Sequence, residues 1–354
     1  RSMGATGKVP ERFLQNMEAV FNVKVQRQPG YDAVATIHAL LGQQLKGFLA
    51  LGGNFAVAAP DSPRILAALS NAELTVHIAT KLNRTHLYPG QVGLLLPTLG
   101  RTDVDARKSG LQLISVEDSM SMTHASSGIK APLSADMMGE PAIVCGIGNA
   151  LSSRSIPWCE FAENYALVRD KIESCMKGVL EGFDHYNEKL AQPGGFHLPN
   201  QAAERRWKTV SGKAEFKVHA LPQDSALQRA QRANPDVLAL MTVRSHDQFN
   251  TTVYSLDDRY RGIFGIRTVV FMNASDMAAR DLVDGALVDI EAVSNDGIER
   301  KVSGFRVVEY DIPAGCVAAY FPEATALVPV GLVSKQTLTP AFKEIPVLIS
   351  KHMR

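Results

Sequence analysis

From residue 236 onward the chain reads as short strands separated by tight turns, and few architectures accept that pattern. Strand candidates are Val237–Thr242, Thr268–Met272, Leu287–Ala292, Lys301–Val308, Cys316–Tyr320 and Val347–Ile349. Asn295-Asp-Gly297 is a hairpin-turn signal between two of them. So many short strands in so little chain suggest a closed β-barrel, because closure leaves no unpaired strand edge.

The first of these strands ends abruptly in hydrogen-bonding groups. The apolar run Val237, Leu238, Leu240, Met241 gives way to Thr242, Arg244, Ser245, His246, Asp247, Gln248, Asn250, Thr251 and Thr252. Arg244 presents a fork of donors, while Gln248 and Asn250 each offer a donor and an acceptor. That mixture suits a ligand with phosphates and a heterocycle edge.

Residues 1–125 alternate between the two periods. Helical apolar spacing runs from Arg12 to Val20 and from Tyr31 to Gln44. Strand candidates follow at Gly47–Leu51, Leu74–Ala79, Gly93–Pro97 and Leu111–Val116. Ser62 reads as the cap of an intervening helix with Pro63 at its first position. Such alternation predicts a parallel α/β sheet with ligands at the carboxyl ends of its strands. Four polar loops sit at those ends. Gly52, Gly53 and Asn54 allow close backbone approach before a helix N-terminus, or form only a tight turn. Thr80, Lys81, Asn83 and Arg84 can meet phosphate and a base edge, or form a solvated loop. Thr98 precedes Asp103 and Asp105, either of which can accept from a guanine edge. Glu117 and Asp118 line the same site or cap a helix. If the strands are parallel, all four loops converge on one sheet edge.

Residues 126–200 look mainly helical, over Glu140–Leu151 and Trp158–Leu190. Residues 201–235 read as a polar connector with a strand candidate at Ala214–Val218. A chain of 354 residues implies two or three domains, which we place at 1–125, 126–200 and 236–354 with 201–235 as the connector. The net charge of +1 gives no reason to expect nucleic acid as a partner. No apolar run is long enough to span a bilayer, and Arg1–Gly7 lacks the apolar core of a signal peptide. The expected location, read from the cysteine usage, is cytoplasmic. Four widely spaced cysteines without a CxxC pair predict reduced thiols rather than a cluster or zinc site. Gly146-Ile-Gly148 lacks the third glycine of a dinucleotide fingerprint, and Ser211-Gly-Lys213 lacks the first glycine of a phosphate loop.

The stretch Thr242-Val-Arg-Ser-His-Asp-Gln-Phe-Asn-Thr-Thr252, followed by Asp258-Arg-Tyr-Arg261, resembles the dinucleotide-binding domain of molybdopterin oxidoreductases. Within that family it is most similar to formate-dehydrogenase-like alpha subunits. Further matching features follow in order. They are Val270-Phe-Met-Asn273 with Asp276, Val283-Asp-Gly285, Ile312-Pro-Ala-Gly315, Tyr320-Phe-Pro-Glu323 and Thr339-Pro-Ala-Phe-Lys343.

The resemblance implies a Rossmann-like parallel α/β layer followed by a six-stranded double-psi β-barrel. It implies two molybdopterin guanine dinucleotides carrying molybdenum or tungsten, one guanosine against the α/β part and the other against the barrel. On the barrel side the residues expected at the cofactor are Thr242, Arg244, Gln248, Phe249 and Asn250. His246 either bonds the pterin or packs. Asn273 would hold a pterin edge, and Asp276 would bind there or cap a helix. Pro322 and Glu323 belong to a loop that closes over the pterin. Lys343 reaches a phosphate or remains on the surface. One departure stands out: many relatives carry Asn two residues beyond that Glu, whereas this chain has Thr325.

Family members extend considerably further on the N-terminal side. The resemblance therefore places any iron–sulfur cluster, the metal-ligating residue and most catalytic groups outside this chain. The implied partners are that N-terminal part, a small oxyanion substrate such as formate, and an electron-transfer subunit. A cofactor-free assembly subunit that kept the fold is the alternative.

Overall fold

The computed structural model describes residues 9–151, 155–221, 223–334 and 337–353. The stretch Arg1–Gly7 therefore lies outside the described residues. The chain forms two compact units. One contains Arg1–Gly30, Ile78–Lys81 and Leu96–His219; the other contains Tyr31–His77, Leu82–Leu95 and Ala220–Arg354. Each is assembled from three separate stretches, whereas the sequence reading divides the chain linearly.

In the second unit a closed barrel occupies the C-terminal third. Its strands are β4 (Leu238–Val243), β5 (Val269–Met272), β6 (Leu287–Ala292), β7 (Lys301–Glu309), β8 (Cys316–Tyr320) and β9 (Ile345–Lys351). They close in the order β5-β7-β6-β9-β4-β8. The pairs β5–β7 and β8–β4 are parallel, and the remaining pairs are antiparallel. This is the mixed six-stranded double-psi barrel that the resemblance implies. Side chains fill its interior: Leu238, Leu240, Val270, Met272, Val288, Ile290, Val307 and Val317 form one buried cluster. The register slips between Val288 and Ile290. There Gly304 adopts φ +72° and its N–H donates to Asp289 Oδ1 at 3.2 Å, so the bulge leaves no orphan amide.

The same unit holds β1 (Gly47–Leu51) and the beginnings of β2 (Leu74–Ala79) and β3 (Val92–Pro97), a sheet ordered β1-β2-β3. Val92 donates to the carbonyl of Glu73 and Thr98 to that of Ala79, a constant offset that makes β2 and β3 parallel. Helices Ala33–Leu41 and Ser62–Ser70 bury Ile37, Leu40, Ile65 and Leu69 together. Ser62 is the first helical residue rather than the cap. Asp61 precedes the helix at φ +51°, and its side chain makes no cap bond, because Arg300 takes it instead.

In the first unit, helices Glu11–Phe21 and Tyr165–Met176 pack through Phe13, Cys175 and Met176. The predicted fourth parallel strand is a correction. Ile114–Glu117 instead pairs antiparallel with Met122–Ser126, and that strand pairs with Phe196–His197. Asp118 explains the difference: its Oδ1 accepts from the N–H groups of Met120 and Met122, which closes a hairpin. The strand expected at Ala214–Val218 does not form. Phe216 and Val218 are fully exposed and no described strand pairs with them. The long helical stretch is broken into Trp158–Glu163, Tyr165–Met176 and Tyr186–Leu190. Cys145 and Cys175 are buried free thiols, Cys316 is half-buried, and Cys159 is exposed.

Candidate cofactor-binding site

Beyond β4 the chain turns sharply, with Asp247 and Asn250 in left-handed conformations at φ +54° and +53°. Asp and Asn tolerate that region better than other side chains. Two short strands, Gln248–Phe249 and Thr252–Val253, close the loop as a hairpin. The loop borders a cavity of about 390 Å³, with Arg244, Asn250 and Lys343 at its polar side and Phe321 and Phe342 at its apolar side. The two phenyl rings meet edge to face at 5.7 Å.

Lys343 Nζ donates to the Thr242 carbonyl. Burial, and then the charge of Arg244, push its pKa below the usual lysine value. Among the described residues the Arg244 side chain makes no hydrogen bond or ion pair. Two cations therefore share one cavity without a carboxylate, an arrangement that an anion stabilises. These residues fit the phosphates of a dinucleotide.

Other predicted residues bind the protein itself. Thr242 Oγ1 donates to the Phe342 carbonyl at 3.1 Å. Gln248 is an internal clamp. Its Oε1 accepts from Ser245 N–H at 2.9 Å, and its Nε2 donates to the carbonyls of Asn250 and Phe321 at 2.7 and 2.6 Å. Asn273, expected at the pterin, caps a helix. Its Oδ1 accepts from Ser275 N–H at 2.8 Å and its Nδ2 donates to the Ile312 carbonyl at 2.7 Å. Asp276 lies in the first turn of that helix rather than at its cap, and its Oδ2 accepts from the Gly315 N–H at 2.7 Å.

Pro322 follows a cis peptide bond, and Glu323 is held by both its oxygens on Arg267, at 2.7 and 3.0 Å. His246 packs edge-on against Tyr260 at 4.4 Å, and its Nε2 lies 3.1 Å from the Arg259 guanidinium. Phe249 stands exposed.

Thr325 accounts for the departure from the family pattern. It is 0% exposed, and its hydroxyl lies 2.8 Å from the Pro322 carbonyl, 3.2 Å from that of Val57 and 3.1 Å from Ser62 Oγ. An Asn here brings a longer side chain and one more donor into a closed space. Thr325→Asn is therefore expected to destabilise by about 1–3 kcal/mol through overpacking. A melting temperature equal to that of the parent would show that the site has room.

At the end of β1, Gly52 and Gly53 take φ +67° and +75°. The space above Gly53 is open, since an added Cβ would meet nothing within 4 Å. Asn83 Nδ2 donates to the Gly53 carbonyl at 2.8 Å, and Thr85 Oγ1 donates to Asn54 Oδ1 at 2.7 Å. The structure thus joins Gly53, Asn54 and Asn83 in one polar bracket. His86 Nδ1 supports it by accepting the Asn83 N–H at 3.2 Å. The His86 ring lies 4.9 Å from that of His77, and burial lowers the pKa of both imidazoles.

In the first unit, Thr80 and Asp103 line a separate cavity of about 460 Å³ with Asp105, Glu140 and Tyr165. Asp103 Oδ2 accepts from the Gly100 N–H at 2.7 Å, and Asp105 holds Arg107 at 2.8 Å and the Tyr165 hydroxyl at 2.6 Å. Thr98 is buried with its hydroxyl on the Met138 carbonyl at 2.9 Å. Lys81 is exposed.

Sequence reasoning missed Arg267 and the pair Asp61–Arg300. Arg267 sits directly before an apolar strand, and an isolated charge at a strand entrance was the one available signal.

Residues 238–346 match the family described as Molydopterin dinucleotide binding domain. An uncharacterized oxidoreductase of Mycobacterium tuberculosis is 43% identical over 352 residues, covering 98% of this chain and 44% of the relative. The Escherichia coli protein YdeP is 39% identical over 350 residues, covering 98% of this chain and 45% of the relative. The chain thus spans less than half the length of these curated relatives. Acetylene hydratase from Pelobacter acetylenicus superposes with a TM-score of 0.61 over 96% of this chain and 50% of its own, at 14% identity, a likeness that supports the fold alone. The polar cavity beside a mixed six-stranded barrel and these matches agree: the chain carries the dinucleotide-binding domain of the molybdopterin oxidoreductases.

Proposed function

We propose that this chain holds two molybdopterin guanine dinucleotides for a formate-dehydrogenase-like oxidoreductase whose substrate is formate or another small oxyanion. The observation that carries this reading is the uncompensated cation pair of Arg244 and Lys343 in the cavity beside β4. A bound molybdenum or tungsten centre supplies the redox chemistry. The protein's own groups bind and orient. Arg244 and Lys343 neutralise phosphate, Asn250 offers amide bonds to a heterocycle, and His246 and Phe249 present ring faces to a pterin. Gly53, Asn54 and Asn83 receive the second dinucleotide. The working protein joins this portion to the rest of its subunit, which carries any iron–sulfur cluster, passes electrons to a partner subunit, and resides in the cytoplasm.

The assembly-subunit alternative has less support. Its one argument was Thr325, and that residue serves internal packing while the cation pair is kept.

Truncating Arg244 is expected to cost about 1–3 kcal/mol of cofactor binding, roughly a five- to 150-fold loss of affinity. The measurement is guanine retained per folded full-length protein after dilution and gel filtration. Unchanged retention in Arg244→Ala removes the phosphate role. A full-length parent with neither metal nor guanine removes the whole reading and restores the assembly subunit.

A further inference from the structure

Arg267 stands just before β5 and is 6% exposed. Its guanidinium serves two stretches of chain that are far apart in sequence. Toward the first, Nη1 donates to Ser245 Oγ at 2.5 Å and Nη2 to Gln248 Oε1 at 3.1 Å. Toward the second, Nη2 donates to the Phe321 carbonyl at 2.8 Å, and Nε and Nη2 grip the Glu323 carboxylate. The same group lies over the Tyr320 ring, 4.7 Å from its centre.

Both stretches border the cavity described above. Ser245 follows Arg244, and the clamp residue Gln248 holds the Asn250 carbonyl. Phe321 is a wall of the cavity. The residues that Arg267 bonds are not part of the buried barrel cluster. A planar fork donates from three nitrogens to the two segments; an ammonium, with three donors on one nitrogen, cannot reproduce all of these bonds.

We propose that Arg267 is a positioning residue for dinucleotide binding: it staples the loop after β4 to the Phe321–Glu323 loop and so fixes the spacing of Arg244 and Asn250 against Phe321. It acts through these neighbours and does not touch the ligand. The inference rests on the function proposed above.

The test uses full-length cofactor-loaded protein with Arg267→Lys and Arg267→Gln. Retained guanine and pterin are measured at a temperature where circular dichroism shows each variant folded. Amide hydrogen exchange is followed in the cofactor-free proteins over residues 243–250 and 321–327, with β6 and β9 as internal controls. Both variants should lose at least tenfold in retention. Exchange should quicken in the two loops together and stay unchanged in β6 and β9. Arg267→Lys is the decisive variant, because it keeps a cation beside Glu323 and is the safer to fold.

Parental retention in Arg267→Lys overturns the proposal. So does exchange that quickens throughout the barrel, since Arg267 would then serve general stability. A parent protein without pterin dinucleotide overturns the function proposed above and this inference with it. A loaded parent with unaffected variants overturns this inference alone.

Discussion

Replacing Arg300 with alanine is expected to destabilise the second unit by about 3–5 kcal/mol, because it strands a buried carboxylate. Arg300 and Asp61 are 2% and 1% exposed at their side chains. Arg300 Nη2 donates to Asp61 Oδ2 at 2.8 Å and to Asp296 Oδ2 at 2.7 Å, while Nη1 donates to Ser294 Oγ at 3.0 Å. Asp61 also meets Arg64 at 3.2 Å, but that side chain is partly solvated and makes a single contact. One residue thereby ties the turn between β6 and β7 to the helix that begins after Asp61. The denaturant midpoint of Arg300→Ala measures the cost, and a loss under about 1 kcal/mol would mean that water already reaches the triad. Pairing Arg300→Met with Asp61→Asn should recover part of the loss, since no unpaired charge then stays buried. The pH dependence has a definite sign. The Arg300 hydrogen bond holds the Asp296 carboxyl well below the usual carboxylate range. Its contribution is therefore complete above that range and disappears only as pH falls through the depressed value.

Phe271→Ala should cost a similar amount, about 3–5 kcal/mol, for an apolar reason. β5 is buried on both faces. Val270 and Met272 face the barrel interior, while Val269 and Phe271 join a second cluster with Ile263, Ala318 and Tyr320. The Phe271 ring meets Tyr320 edge to face at 5.5 Å and Tyr310 at 5.1 Å. Its loss leaves a cavity under the ring over which Arg267 lies, and it loosens the Tyr320 hydroxyl from Asp258, now 2.8 Å away. Equilibrium denaturation gives the number; a cost below about 2 kcal/mol would show that the neighbours collapse into the gap.

How far the sequence could be read depended on the kind of question. Leu287–Ala292 and Cys316–Tyr320 were legible residue for residue, because Gly285 and Gly315 end the preceding turns and the apolar pattern does the rest. The order of strands around the barrel was legible only through the family resemblance, since nothing local tells β4 that its neighbours are β8 and β9. Polar strand ends were found, but not what they face. Asn273 and Gln248 look as suited to a heterocycle as Asn250 does, yet the first caps a helix and the second clamps two loops. A side chain's donor count is written in the sequence; the backbone group that consumes it is not. The strand after β3 failed for a related reason. Its apolar run is real, but the Asp118 turn folds it back on its successor.

The barrel's closure sets an order of assembly. Ala239 pairs with Cys316 and Leu240 with Ile345, so the strand that delivers Arg244 finds its partners only when distant chain arrives. Lys343 comes with the last of them. Such long-range pairing is slow to form, and until β9 is seated the two cations do not stand together. A ligand that needs both cations consequently finds its site only after the last strand of the barrel is in place.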